Sequence, residues 1–227
     1  MKTIHMVSTI VLILCFTLVS AVAYGQEDEM KNVAMSSLKE WKKSFTEDQA
    51  RKLGFDGKED FEASELGAPF KLYTIQPDAL MGYQEGQEFG KLVTETNYSV
   101  YPVNSGGKNK ALLWMVNRKG KWQVARMGSS KLAKNILSTE GAMRNQMAEK
   151  GLEGAKPAKF VRLYQLYLDF FFLKAAEKEY VIPVQKIPTL KVEGGKFYSP
   201  GQVVPQWKEQ LKKKMPPEEK GKGIIEG

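Results

Sequence analysis

Apolar side chains recur at three- and four-residue intervals from Glu27 to Phe45, at Met30, Val33, Ala34, Leu38, Trp41 and Phe45. That spacing places them on one face of a helix and predicts an amphipathic one. Thr46 with Gln49 three residues later has the form of a capping box, so a second, short helix opens there and closes at Gly54. From Phe55 to Gly67 the chain is acidic and turn-rich, and reads as a connection.

Beyond Pro69 the period changes to alternation. Phe70 to Gln76 reads as a strand, and Pro77-Asp78 opens a helical turn through Leu80 and Tyr83. Asn97–Val103, Lys110–Asn117 and Lys121–Met127 read as three further strands, the last two joined at Arg118-Lys119-Gly120, where glycine supplies the positive φ of a hairpin loop. Leu112, Trp114 and Val116 point one way and Leu113 and Met115 the other, which predicts a strand covered on both faces. In its neighbour, Trp122 and Val124 against Gln123 and Ala125 predict half burial.

Ser129 and Ser130 then cap a helix carrying Leu132, Ile136 and Leu137, and a second helical stretch with Met143 and Met147 stops at Gly151. Gly151–Lys159 reads as a linker. The aromatic run Phe160–Leu173, interrupted by Arg162 and Asp169, favours strand and is too short to span a membrane. Tyr180–Val184 is another strand, Glu193-Gly194-Gly195-Lys196 a turn, and Val203, Val204, Trp207 and Leu211 mark a closing helix. The polar tail from Pro216 has the composition of disorder. These elements define an α+β protein, an antiparallel sheet packed with helices. Residues 26–150 form an α+β domain, and residues 151–215 a β-rich extension with its closing helix, in the same domain or a second one.

A long N-terminal helix followed by antiparallel strands that end in the Gly120-Lys121-Trp122 hairpin resembles cystatin-like and nuclear-transport-factor-like domains. The resemblance implies a curved sheet wrapped around a helix. It covers residues 27–137 and carries no catalytic residue across.

The first residues change the picture of where this fold works. Lys2, the apolar run Val7–Val22, and the small-x-small sites Ala21-Val22-Ala23 and Ala23-Tyr24-Gly25 have the order of a cleavable export signal at residues 1–25. A retained anchor is the rival reading, because no charge interrupts Thr3–Gln26. Cys15 lies inside the apolar run, away from any lipobox. Cys15 and His5 are the chain's cysteine and histidine, so nothing beyond residue 15 offers a disulfide, a cysteine nucleophile, histidine acid–base chemistry or the N/S ligands of zinc. No cofactor is expected. Losing Lys2 takes the formal net charge from +8 to +7, a basic balance suited to a protein or an anionic envelope component as partner. Export argues against nucleic acid.

Candidate chemistry is sparse. Trp122, Arg118, Lys119, Lys121 and Arg126, with Trp114, combine aromatics and cations on one hairpin and form the candidate binding set, against the alternative that the tryptophans are core. Ser36 and Lys39 match S-x-x-K without the S-D-N and K-T-G elements that accompany it in enzymes. Asp56, Glu59, Asp60, Glu62 and Glu65 form an acidic cluster that departs from the EF-hand pattern at Asp56-Gly57-Lys58 and reads as solvated, with no metal expected. Ser105-Gly106-Gly107-Lys108 reads as an inter-strand turn, and Asn97-Tyr98-Ser99 matches the glycosylation sequon. The expectation is an exported, non-enzymatic binding module of the envelope or extracellular space. The alternatives are an envelope hydrolase using carboxylates or the Ser-Lys pair, and a structural envelope component. Mass spectrometry of the exported protein is expected to find Tyr24 or Gln26 at the N-terminus, and intact Met1 in the membrane fraction would establish the anchor instead.

Overall fold

From Ala111 to Val116 every side chain of the strand Lys108–Arg118 is buried, so this strand needs a covering layer on each side. In the computed structural model, which describes residues 27–152 and 158–214, it has both. The segment expected to be an export signal, the middle of the Gly151–Lys159 connection and the tail from Pro216 lie outside the described residues.

The chain opens with a helix over residues 27–44 (α1), then α2 (Glu47–Lys52) and α3 (Lys58–Glu62). Next come β1 (Glu65–Leu66), β2 (Phe70–Thr74), α4 (Pro77–Gly82), β3 (Thr94–Ser105), β4 (Lys108–Arg118) and β5 (Lys121–Gly128). The remaining elements are α5 (Ser130–Glu149), β6 (Lys159–Leu163), β7 (Leu168–Ala175), β8 (Lys178–Pro183) and α6 (Pro200–Lys214). The strands make one sheet in the order β5-β4-β3-β2-β6-β7-β8, with β1 beside β3. Its pairings are antiparallel except β2 with β6. The protein is α+β, one large, mostly antiparallel sheet packed against helices. That parallel pairing, Leu72 opposite Phe160, bonds the C-terminal strands into the sheet that the N-terminal strands begin.

Alternation sorts the core into two faces. On one, α5 brings Ala133 and Ile136 onto Leu72, Val100, Leu112, Trp114, Phe160, Phe171 and Ile182. On the other, α1 to α3 cover Tyr101, Val103, Ala111, Leu113 and Met115 with Met30, Ala34, Leu38 and Phe61. Further along the same face, α4 and α6 cover Val161, Leu163, Phe170 and Phe172 with Leu80, Val203, Val204 and Trp207.

Three expectations change. The two helical stretches after Gly128 are one 20-residue helix, because the packing of Ile136, Met143 and Met147 outweighs the cost of about 1 kcal/mol for Gly141. Ser129 precedes it at φ 63° without a side-chain capping bond. Phe160–Leu173 is a hairpin instead of one strand, turning through Tyr164–Leu166 with Tyr167 at φ 51°. The charges that interrupt the run hold this hairpin together: Arg162 and Asp169 are cross-strand partners joined by two hydrogen bonds of 2.6 and 2.8 Å. Finally, the segment 55–67 contains α3 and β1, drawn onto the sheet by Phe61, which is fully buried against Phe45 and Phe55.

The capping box at Thr46 and Gln49 is present, with both of its hydrogen bonds formed. The β4–β5 turn is the two residues Lys119 and Gly120 at φ 53° and 81°, the pair of positive angles a type I′ turn requires. Trp114 is 3% exposed. Trp114→Ala is therefore expected to lower stability by about 3–5 kcal/mol in denaturant unfolding, as buried aromatic truncations do. Lys119→Ala, at the exposed turn, is expected to change it by less than about 0.5 kcal/mol.

Candidate functional site

α1 turns Met30, Ala34 and Leu38 onto the sheet, and its adjoining face carries Lys31, Met35, Lys39 and Lys42 at helical spacing. Opposite runs the strip Ser64–Pro69. It is held away from α1 because it is bonded to β3 instead, with Glu65 opposite Asn104, Leu66 opposite Val103, and the Gly67 amide donating to the Pro102 carbonyl at 2.8 Å. Gly67 approaches so closely that a Cβ there would lie 2.9 Å from the Asn104 side-chain nitrogen.

Between helix and strip lies a groove of about 1080 Å³. Leu38 and Tyr101, both buried, form its base together with Leu66, and Met35, Ala68 and Pro69 extend the apolar lining. Lys31, Lys39 and Lys42 stand along the α1 wall, with Glu27 and Asp28 at its N-terminal end and Glu65 opposite. Lys42 reaches across and donates to the Ser64 carbonyl, tying the two walls. Burial lowers the Lys42 pKa, opposed by Glu65 and Glu62. Burial, reinforced by Glu27, raises the Tyr101 phenol, which keeps it a neutral donor.

The strip is anchored from behind. Lys110 of β4, 6% exposed, pairs with Asp56 at 2.6 Å and Asp60 at 3.0 Å, and Asp60 also accepts from Ser105 and from the Asp56 amide at 2.8 Å. The acidic cluster is thus not simply solvated, since two of its members fix α3 to the sheet. Among the described residues no group of three or more His, Cys, Asp or Glu gathers as a metal site.

The candidate hairpin residues do not converge. Trp114 pairs with Arg126 but Met115 with Val124, so Ala125 is an extra residue in a bulge. The bulge turns Trp122, Val124 and Met127 toward the α1 side, where Trp122 packs half-buried. Arg126 lies on the opposite face, 4.6 Å over the Trp114 ring, and Arg118 pairs with Lys121 beside the Lys119 turn. Ser36 and Lys39 sit exposed on the groove, and no hydrogen bond joins them, which a Ser-Lys nucleophile requires. Ser105 and Lys108 close a two-residue turn with Gly106 and Gly107 at φ 55° and 71°. Sequence reading missed Tyr101, Leu66 and the strip, for no periodicity marks Ser64–Pro69 as a wall. Compared with protein-family profiles, curated proteins and solved structures, the chain gives no match.

Asp60 provides a titration test of the anchor. Burial acts to raise its pKa, but the hydrogen bonds from Ser105, the Asp56 amide and Lys110 outweigh it and hold the group at about 2, against an ordinary 3.8. Its stabilisation is therefore fully present above the unfolded value and lost as pH falls through about 2. Thermal melts are expected to show Asp60→Asn destabilised near neutral pH, with the difference from wild type shrinking as the pH is lowered through that window.

Proposed function

We propose that this protein is an exported, non-catalytic binding protein whose groove takes an amphiphile with an apolar body and an anionic end. The observation that carries the reading is the pairing of an apolar base with three lysines along one wall of a single groove. Its volume, about 1080 Å³, is slightly above the usual range of ligand sites and suits an elongated molecule. An apolar body would rest on Leu38, Leu66, Met35 and Tyr101, and the anionic end would meet Lys31 and Lys39. Neither lysine makes an ion pair among the described residues. Supporting a binder over a hydrolase are Ser36 and Lys39, which share no hydrogen bond, and the engagement of Asp56 and Asp60 with Lys110. Export is supported by Lys2, the apolar run and the small-x-small sites before Gln26.

Calorimetric titration with dodecyl phosphate, below its micelle concentration, tests this. One equivalent is expected to bind, Leu66→Glu to abolish binding by placing a charge in the apolar base, and Lys39→Glu to weaken it about tenfold through charge reversal. Absence of binding, or binding indifferent to Leu66→Glu, would overturn the proposal.

A further inference from the structure

The sheet face opposite the groove carries a second group of side chains that the groove does not use. The Arg126 and Arg162 guanidinium carbons lie 4.6 and 4.7 Å from the centroid of one ring, that of Trp114. Because the ring is buried, it serves as a support on which two cations stack, and the guanidiniums are what it presents. Arg162 is fixed by its fork to Asp169, itself 5% exposed, which uses Nε and one Nη2 hydrogen and leaves Nη1 without a partner among the described residues. Arg126 is exposed and makes no ion pair among them.

These two guanidiniums are accompanied by the single carboxylate of Asp169, which leaves the group one positive charge in excess. A second carboxylate, supplied from outside, would complete the balance. Aromatic surface lies beside it. Tyr164 sits 5.9 Å from the Arg162 guanidinium and is 47% exposed, whereas Tyr167, in the same turn, has its ring 5.0 Å from the Lys214 ammonium of α6, the helix on the other face. Burial raises the Tyr164 hydroxyl pKa and so preserves it as a donor. Few large apolar side chains of the described residues are as exposed as Tyr164.

We infer that this face docks an acidic peptide segment of a partner protein, its carboxylates meeting Arg126 and Arg162 while Tyr164 packs beside them. The guanidinium fork matches a planar carboxylate, as Arg162 already does with Asp169. Tyrosine, tryptophan and arginine are also the residues that dominate the energetics of protein interfaces. The inference is independent of the groove, which lies on the other face.

Fluorescence anisotropy of a labelled oligoglutamate peptide on the full chain tests it. The peptide is expected to bind, and Arg126→Gln to weaken binding by about tenfold or more, in the range for a lost charge-assisted contact. Lys119→Gln, which removes the same charge from the turn of the same hairpin, is expected to change it less than about twofold. The double variant Arg162→Gln/Asp169→Asn removes the second guanidinium without stranding a buried carboxylate, and is expected to weaken binding as much as Arg126→Gln. Should that variant fail to fold, the exposed Arg126→Gln still decides. No peptide binding, or equal losses for Arg126→Gln and Lys119→Gln, would overturn the inference. So would Arg126-dependent binding of inorganic phosphate or phosphatidylglycerol vesicles in place of the peptide, since it would assign the site to a phosphate group.

Discussion

Burial of the central strands on both faces is the constraint from which the architecture follows. β4 and β7 have almost no side chain to spare for water, so the sheet they belong to must be a middle layer. α5 supplies one cover, and the opposite face is divided between α1 to α3 and the pair α4 and α6. The fold has no disulfide to fall back on among its described residues, since the chain's single cysteine lies at residue 15. Packing must therefore hold the sheet, and it is continuous across both ends because β2 and β6 pair in parallel.

Two charged groups are taken into this apolar frame, and each is balanced where it stands. Asp169 and Arg162 face each other across one hairpin, and Lys110 meets Asp60 and Asp56 at the other end of the sheet. A buried charge without its partner would cost several kcal/mol, so each pair also fixes a register. The first specifies how an apolar run of aromatics folds back on itself. The second holds α3 on β4, and with it the strip that forms one wall of the groove.

The groove and the guanidinium face illustrate how a covered sheet still leaves room for recognition. α1 packs only one stripe of its surface, so its neighbouring stripe is available wherever the chain opposite is bonded to something else. Ser64–Pro69 is bonded to β3, and the gap is the groove. On the other face, Val116 and Trp114 are buried although Arg126 and Tyr164 beyond them reach water, so the edge of the core becomes a cationic and aromatic surface. Both features place cations beside apolar groups, in keeping with a chain whose formal charge is +8.

Local pattern determined much of this protein. The stripe from Met30 to Phe45, the Thr46 capping box, the two-faced burial of Leu112 to Val116 and the closing helix around Trp207 were all legible, because each is a periodicity or a short-range hydrogen bond contained within one element. The α+β class followed from their order. What tertiary structure alone decided were relations between distant residues. The bulge at Ala125 sends Arg126 away from Trp122, and the pairing of Arg162 with Asp169 folds one aromatic run into two strands. The choice of β3 over α1 as partner for Ser64–Pro69 opens the groove, and that choice depends on the Gly67 approach to Asn104 and on the Lys110 ion cluster. A residue's spacing along the chain carries its own period, but it does not carry which other element will lie beside it, and both candidate sites are made of such neighbours.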